Sequence, residues 1–324
     1  MMHWFDKTVG NTQREAKQHQ PFDLDLSDGA GLAANTCEPP AAADKLIEQL
    51  QLQINNMPKP SWVWHELQTA FAGHASMGDI GKIIRQDTAL AAEIIHVANA
   101  PAFDLLTPIH DVERAVVHLG ANLLRSTATR HCLAGALHHA SGFYDQQVLW
   151  RHAMAVSALA EHIARYVPHC NAREAATLGL LHDMGRMLLN HILRAATMTP
   201  ANALLEPKGY LHWESMMAGC THVEAGTLLA VQWDFPDKLV QGIRFHHHPG
   251  FAEAKAIPEG VRSEVFAVYV ADLIAIHLKF PGGNPCKSLP HASYTDFLAK
   301  TTLQEICSSE AVSKALWRVY ATDF

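Results

Sequence analysis

The chain lacks the features on which several large function classes depend. Its six cysteines (Cys37, Cys132, Cys170, Cys220, Cys286 and Cys307) are scattered and form no CxxC pair. Neither a disulfide framework nor a zinc-finger pattern can be read from them, and they read as isolated reduced thiols that pack as small hydrophobes. No apolar run reaches the roughly 18 residues of a membrane span. The segment MMHWFDKTVGNTQREAKQHQ holds no apolar core of a signal peptide, so the expectation is a cytoplasmic protein without membrane contact. No Lys/Arg block is present, and 25 basic against 32 acidic residues give a formal charge of −7. Such a balance disfavours nucleic-acid binding through phosphates. A Gly-rich phosphate loop, a Gly-x-Ser-x-Gly elbow and a P-loop are all missing, which leaves nucleophilic-serine and NTPase readings without support.

What remains is a chain of 324 residues, 48% apolar and 18% charged, with 22 histidines. That length suits one large domain or two, and the composition excludes a largely disordered protein. Residues 1–44 are polar and weakly periodic and close on Glu38-Pro39-Pro40, which predicts a loosely ordered lead segment. From 45 onward apolar residues recur at spacings of three and four, and alternating β-branched runs are scarce. Breaks at Met57 to Pro60, Gly73 to Gly81, Ala100-Pro101, Thr107-Pro108, Gly120, Ser141-Gly142, Thr199-Pro200, Pro207 to Gly209, Phe235-Pro236 and Pro249-Gly250 divide this stretch into many helices. The pattern predicts an all-α protein. A soft boundary near Ser141-Gly142 divides residues 45–281 into lobes 45–140 and 141–281. Residues 282–324 read as a Gly/Pro linker followed by an amphipathic helix near 294–320.

Ionisable residues on apolar helix faces concentrate in the second lobe. Leu149, His152, Val156, Leu159 and Ile163 share one stripe. In EAATLGLLHDMGRMLL, read as one helix, Leu178, Leu181, His182 and Gly185 share the inner side with Asp183 beside it. His222, Gly226, Leu229 and Trp233 form a further stripe, as do Leu239, Ile243 and His246 or His247, and Val265, Val268, Asp272 and Ile276. An ionised carboxylate taken out of water is costly unless a cation or hydrogen bonds compensate. Neutral imidazoles with carboxylates are a ligand set that suits Fe, Mn, Zn or Ni. A single inward histidine is more often a hydrogen-bonded core residue, and a metal-free polar core with Arg186 as a donor stands as the alternative.

The order His, His-Asp, His, His-His, Asp resembles the HD superfamily of metal-dependent phosphohydrolases, and within it the HDOD (HD-related output domain) type of bacterial signalling proteins. The matching text is IIRQDTALAAEIIHVANAPAF (83–103), IHDVERAVVHLGANLLRSTA (109–128), LWRHAMAVSALAEHIAR (149–165), AATLGLLHDMGRMLL (175–189), THVEAGTLLAVQWDFPDKLVQGIRFHHHPG (221–250) and VYVADLIA (268–275). The resemblance covers about residues 58–278. It implies a two-lobed all-α fold in which His152, His182, Asp183 and Asp272 hold one metal ion. His222 and His246 hold a second, with Asp183 bridging, His247 adjacent, and Asp183 and Arg186 as the residues nearest any chemistry. Two departures stand out against the cyclic-di-GMP phosphodiesterase branch. Arg186 occupies the place of a Lys, and HHHPGFAEA follows without a Gly-Tyr-Pro motif. The resemblance thus implies a signal-transduction protein that binds one or two divalent ions and acts through signalling protein partners. A metal-dependent phosphohydrolase acting on a nucleotide or other phosphoester is the runner-up.

Other features receive plainer readings. Asp111 of His110-Asp111 suits a helix start. His138-His139 and His212 read as surface residues, His248 as outward-pointing, and Trp150, Trp213 and Trp233 as core aromatics. Glu174, eight residues before His182, is the best candidate for an extra carboxylate, with a helix-start role as the alternative.

Overall fold

The structure is a computed structural model that describes residues 41–55, 60–73, 75–137, 144–193, 210–278, 280 and 290–297, together with Ile306, Val312, Ala315 and Leu316. Among these residues there is no strand, and the fold is all-α. The helices are α1 (Asp44–Asn55), α2 (Val63–Ala72), α3 (Met77–Ile84), α4 (Thr88–Ala98), α5 (Val112–Leu137), α6 (Gln146–Ala164), α7 (Ala172–Leu181), α8 (Gly185–Leu193), α9 (Tyr210–Ala218), α10 (His222–Gln232), α11 (Asp237–Phe245) and α12 (Glu259–His277). His138-His139 and most of the amphipathic stretch near 294–320 lie outside the described residues, and Ala292–Phe297 forms a short 3-10 helix.

Helix starts follow the local chemistry. Ser76, Asp87, Asp145 and Asn171 each accept a backbone N–H from the first turn that follows them, satisfying donors that the helix itself cannot. Thr221 and Glu224 form a reciprocal capping box at α10. The expected break at Gly120 is a kink inside α5, where the backbone turns to φ 69 and ψ 170. Asp111 caps as expected, its Oδ1 accepting the Arg114 N–H at 2.8 Å.

α2 to α5 pack on one another as the first lobe, and α6, α7, α8, α10, α11 and α12 form the second. At the centre of the second lobe α12 is buried almost all round, from Val265 through Ala271, because its sequence is apolar on every side. Full burial of each Val, Ile or Leu contributes about 1.5–3 kcal/mol. α1 crosses to the second lobe and packs on α10, where the Ala42 N–H donates to Glu224 Oε1 at 2.8 Å. The first lobe also buries an ionisable residue. Arg125 is 1% exposed, lies over the Phe71 ring, and burial brings its pKa down to about 10.

The Asn-Ala-Pro turn has a mechanical role. Asn99 donates from Nδ2 to the Ile95 and Ile109 carbonyls at 2.8 and 2.7 Å, and its Oδ1 accepts the Ile109 N–H at 2.8 Å. One side chain therefore closes the loop between α4 and α5. Asn99→Ala is expected to cost about 2–3 kcal/mol, since partly buried backbone groups lose their partners. Urea unfolding of the two proteins checks it, and a difference below about 0.5 kcal/mol would remove this role.

Candidate metal centre

The stretch read as one helix from 174 to 189 is two. α7 ends at Leu181, residues 182–184 turn tightly, and α8 begins at Gly185. In a continuous helix neighbouring side chains diverge by about 100°, so His182 and Asp183 could not both face one point. The break lets them do so. A second departure from the helix does the same for His246 and His247. The first caps the C-terminus of α11 and the second precedes the 3-10 turn His248–Gly250. His152 and Asp272 project from the middles of α6 and α12, and His222 opens α10.

These elements bring together all seven residues singled out as ligands. His152, His182 and Asp272 form one group, and Asp183, His222, His246 and His247 another, each with its donor atoms mutually close enough for an ion. Asp183 stands between the groups, its Oδ2 3.3 Å from His182 Nε2 and its Oδ1 3.1 Å from His222 Nε2 and 3.7 Å from His246 Nε2. His152 Nε2 lies 2.9 Å from Asp272 Oδ1. Every one of the seven is at most 7% exposed, Asp183 being the most accessible.

The hydrogen bonds on the far side of each ring set which atoms face inward. His182 Nδ1 donates to the Gly179 carbonyl at 2.8 Å and His246 Nδ1 to the Ile243 carbonyl at 2.6 Å. A neutral imidazole with Nδ1 as donor presents a bare lone pair at Nε2. In its neutral form His182 turns the Nε2 lone pair toward an Asp183 oxygen, and neither Asp183 oxygen receives a well-directed hydrogen bond. Acceptor facing acceptor inside a buried site is repulsive without a cation between them. The donor set and these orphaned atoms fit a divalent ion.

In the absence of an ion, the carboxylate depends on the positive and donating groups around it. Burial works to raise the Asp183 carboxyl, but Arg186, His182 and His222 outweigh it and hold its pKa well below the usual carboxylate range. His246 is pushed down to about 3, chiefly by burial and then by His182 and His222, against the pull of Asp183. It stays neutral and ready to ligate. Burial lowers His222, but Glu214 and Asp183 reverse the direction and raise it. His222 thus sits between two carboxylates, each of which favours its protonated form, so that ion uptake competes with proton binding there.

Glu214 is the residue that the sequence reading missed. It is fully buried, accepts the His222 N–H at 2.9 Å and Nδ1–H at 2.6 Å, and accepts the Tyr144 hydroxyl at 2.9 Å. Tyr210, Leu211, Trp213, Glu214 and Ala218 are the buried residues of α9. Their three-and-four spacing was a readable signal that Glu214 faces inward, whereas His212 beside it is only half-buried. Arg186 is also buried, 3.1 Å from Asp183 Oδ2 and stacked over the Tyr144 and Tyr210 rings. For Glu174 the helix-start alternative holds: it sits in the first turn of α7 paired with Lys238 and belongs to neither ligand group. One other expectation is corrected. His248 does not point outward; it is held between Phe245 and Phe251, with ring centroids at 4.6 and 4.9 Å. Trp213 and Trp233 are core residues, and half-buried Trp150 packs against the core.

Backbone contact sets the spacing between α8 and α10. A Cβ on Gly185 would meet the His222 carbonyl oxygen at 1.9 Å and the Gly226 nitrogen at 2.5 Å. Gly185→Ala must push α10, and His222 with it, away from Asp183. The expected cost is about 2–4 kcal/mol, read by thermal unfolding, with metal content falling in parallel. A variant of wild-type stability and metal content would show that this contact does not set the spacing.

The His246 shift has a sign that can be checked in metal-stripped protein. Its pKa is about 6.5 unfolded and about 3 folded, so the unfolded chain binds the proton first. Stability is lost as pH falls from about 6.5 toward 3, by an upper bound of roughly 5 kcal/mol from this residue. His246→Gln should flatten that part of the urea-midpoint profile; an unchanged slope between pH 6 and 4 would contradict it.

Comparison with known proteins agrees with this architecture. A curated protein of Treponema pallidum (strain Nichols), itself uncharacterized, is 24% identical over 281 residues, covering 82% of this chain and 52% of that protein. The chain thus spans about half the length of the curated relative it matches. Among solved structures, an HDOD domain protein of unknown function from Geobacter sulfurreducens superposes with a TM-score of 0.61 at 21% identity, covering 86% of this chain and 95% of that one. A candidate phosphohydrolase from Shewanella amazonensis SB2B gives 0.59 at 22%, covering 84% and 96%. A candidate signal transduction protein from Marinobacter aquaeolei VT8 gives 0.62 at 19%, covering 96% and 65%. At these identities the likeness concerns the fold. The HDOD domain family model, in contrast, matches residues 57–249, more than half of the sequence. By that match, the chain belongs to the HDOD domain family.

Proposed function

We propose that this protein is a signal-transduction module whose second lobe holds one or two divalent metal ions in a closed centre and which acts through protein partners. The observation that carries the metal is the buried encounter of the His182 Nε2 lone pair with the Asp183 carboxylate. What favours binding over turnover is closure. Seven ligand side chains at most 7% exposed resemble a structural site, whereas a catalytic site keeps an open position for water and substrate. Neighbours in fold described as a candidate signal transduction protein and a candidate phosphohydrolase support the two branches of this reading. Among the described residues no helix is long and apolar enough to cross a membrane.

Phosphoester hydrolysis is the second reading, and Arg186 is the observation that favours it. Its three guanidinium nitrogens are buried without a well-directed hydrogen bond, beside Asp183. Such a cation suits an oxyanion. When bound, a metal pair supplies charge that polarises a phosphoryl oxygen and acidifies a water. Asp183 would bridge the ions, Arg186 would orient the phosphoryl group, and the buried walls would exclude bulk water.

Elemental analysis of the purified protein beside Asp183→Ala tests the centre. One to two ions per chain, lost in the variant, is the expected result. No metal in either protein after reconstitution under reducing conditions would leave a polar core. A phosphoester panel with Mn, Fe, Ni and Zn then separates the two readings. Turnover abolished by Asp183→Ala would establish the enzyme, and no turnover in loaded protein is the outcome expected of the signalling module.

A further inference from the structure

The charges around Asp183 do not balance in favour of a cation without Glu214. Asp183 is the carboxylate of the group that also contains His222, His246 and His247. The Arg186 guanidinium stands 3.1 Å from its Oδ2. Those two charges cancel, so a dication entering this group would meet no net negative charge and a fixed guanidinium. Glu214, 0% exposed, lies directly behind His222 and 3.9 Å from Arg186 Nε. Counting it restores a single net negative charge. The His152, His182 and Asp272 group already has one from Asp272.

Glu214 also sets the geometry. It grips both the backbone N–H and the Nδ1–H of His222, so the ring can neither flip nor change tautomer without losing a buried bond. Nε2 is thereby aimed at Asp183 Oδ1, 3.1 Å away. The other rings whose Nδ1 meets the backbone, His152, His182 and His246, lean only on neutral carbonyls. A carboxylate behind a ligating imidazole fixes its orientation and raises its basicity.

From this charge count and clamp, resting on the metal-centre reading above, we infer that Glu214 is a positioning residue that decides whether the Asp183, His222, His246 and His247 group takes up a divalent cation. Tyr144, donating to Glu214 Oε1 at 2.9 Å, and Tyr210, donating to the Tyr144 hydroxyl at 3.0 Å, hold the carboxylate in place. The inference predicts two unequal subsites in one chain, of which one depends on a residue that touches no ion.

The test uses the full chain, stripped of metal and titrated calorimetrically with Mn(II) and with Zn(II). Glu214→Gln should weaken one of two binding events by about 10- to 100-fold and leave the other unchanged. Removing the guanidinium as well, in Glu214→Gln with Arg186→Gln, should recover most of the lost affinity, because the local charge is restored. If Glu214 served only to hold α9 against α10, the double variant would bind no better than the single one. Glu214→Asp, which keeps the charge on a shorter arm, should fall between the two and guards against a single variant that does not fold. A readout independent of metal is the imidazole nitrogen spectrum of stripped protein at mildly alkaline pH. His222 should appear as the Nδ1–H tautomer in the wild type and as a mixture in Glu214→Gln. Uptake in the wild type with unchanged affinity in Glu214→Gln overturns the role of Glu214 alone. No uptake by the wild type overturns the metal-centre reading with it, even where the tautomer result holds.

Discussion

A buried carboxylate that cannot be left alone organises this protein. Asp183 is taken out of water among imidazoles, of which His182 and His246 use Nδ1 on backbone carbonyls and turn Nε2 inward. An isolated ion in that position would cost several kcal/mol. Everything around it works against that cost. Arg186 supplies a fixed positive charge beside Oδ2, His222 Nε2 lies 3.1 Å from Oδ1, and the ring nitrogens facing the carboxylate define where a cation gains most. The second lobe holds these groups at fixed distances with no more than 7% of any one of them exposed.

The helices achieve this by where they stop as much as by how they run. His182 and Asp183 lie in the turn between α7 and α8, His246 and His247 in the turn after α11, and His222 at the first position of α10. Chain ends and turns let adjacent residues converge, which a helical stretch forbids. Only His152 and Asp272 come from helix interiors, and these face each other across α6 and α12 at 2.9 Å. The Gly185 contact with α10 closes the arrangement, because no side chain fits between those two backbones.

The same geometry explains why binding and hydrolysis compete as readings. Deep burial of all seven side chains favours a structural or sensing ion. A buried guanidinium beside Asp183 favours an anion. The first lobe contributes no ligand, yet it packs through α2 and α5 on α6 and α7, and α7 ends on His182. Through that helix the first lobe packs directly against the element that ends on one of the candidate ligands.

Much of this was legible in the order of residues. Three-and-four spacing gave the helices, and apolar stripes placed His152, His182, His222 and Asp272 inward, because a helix face is a one-dimensional property that local sequence records. The resemblance to the HDOD type supplied the seven ligands as a set. Breaking a single apparent helix at His182 was not legible, since propensity alone favours continuing it. Convergence of five separate segments was not legible either, because it depends on packing between residues far apart in the chain. Glu214 shows the boundary best. Its inward face could be read from its helix, but its partner His222, eight residues on, is named only when the turn after α9 brings the start of α10 back to it. The sequence by itself determined which side chains are buried, and tertiary structure alone decided which buried charges meet, since burial follows from local period and pairing from the folding of distant helices onto one point.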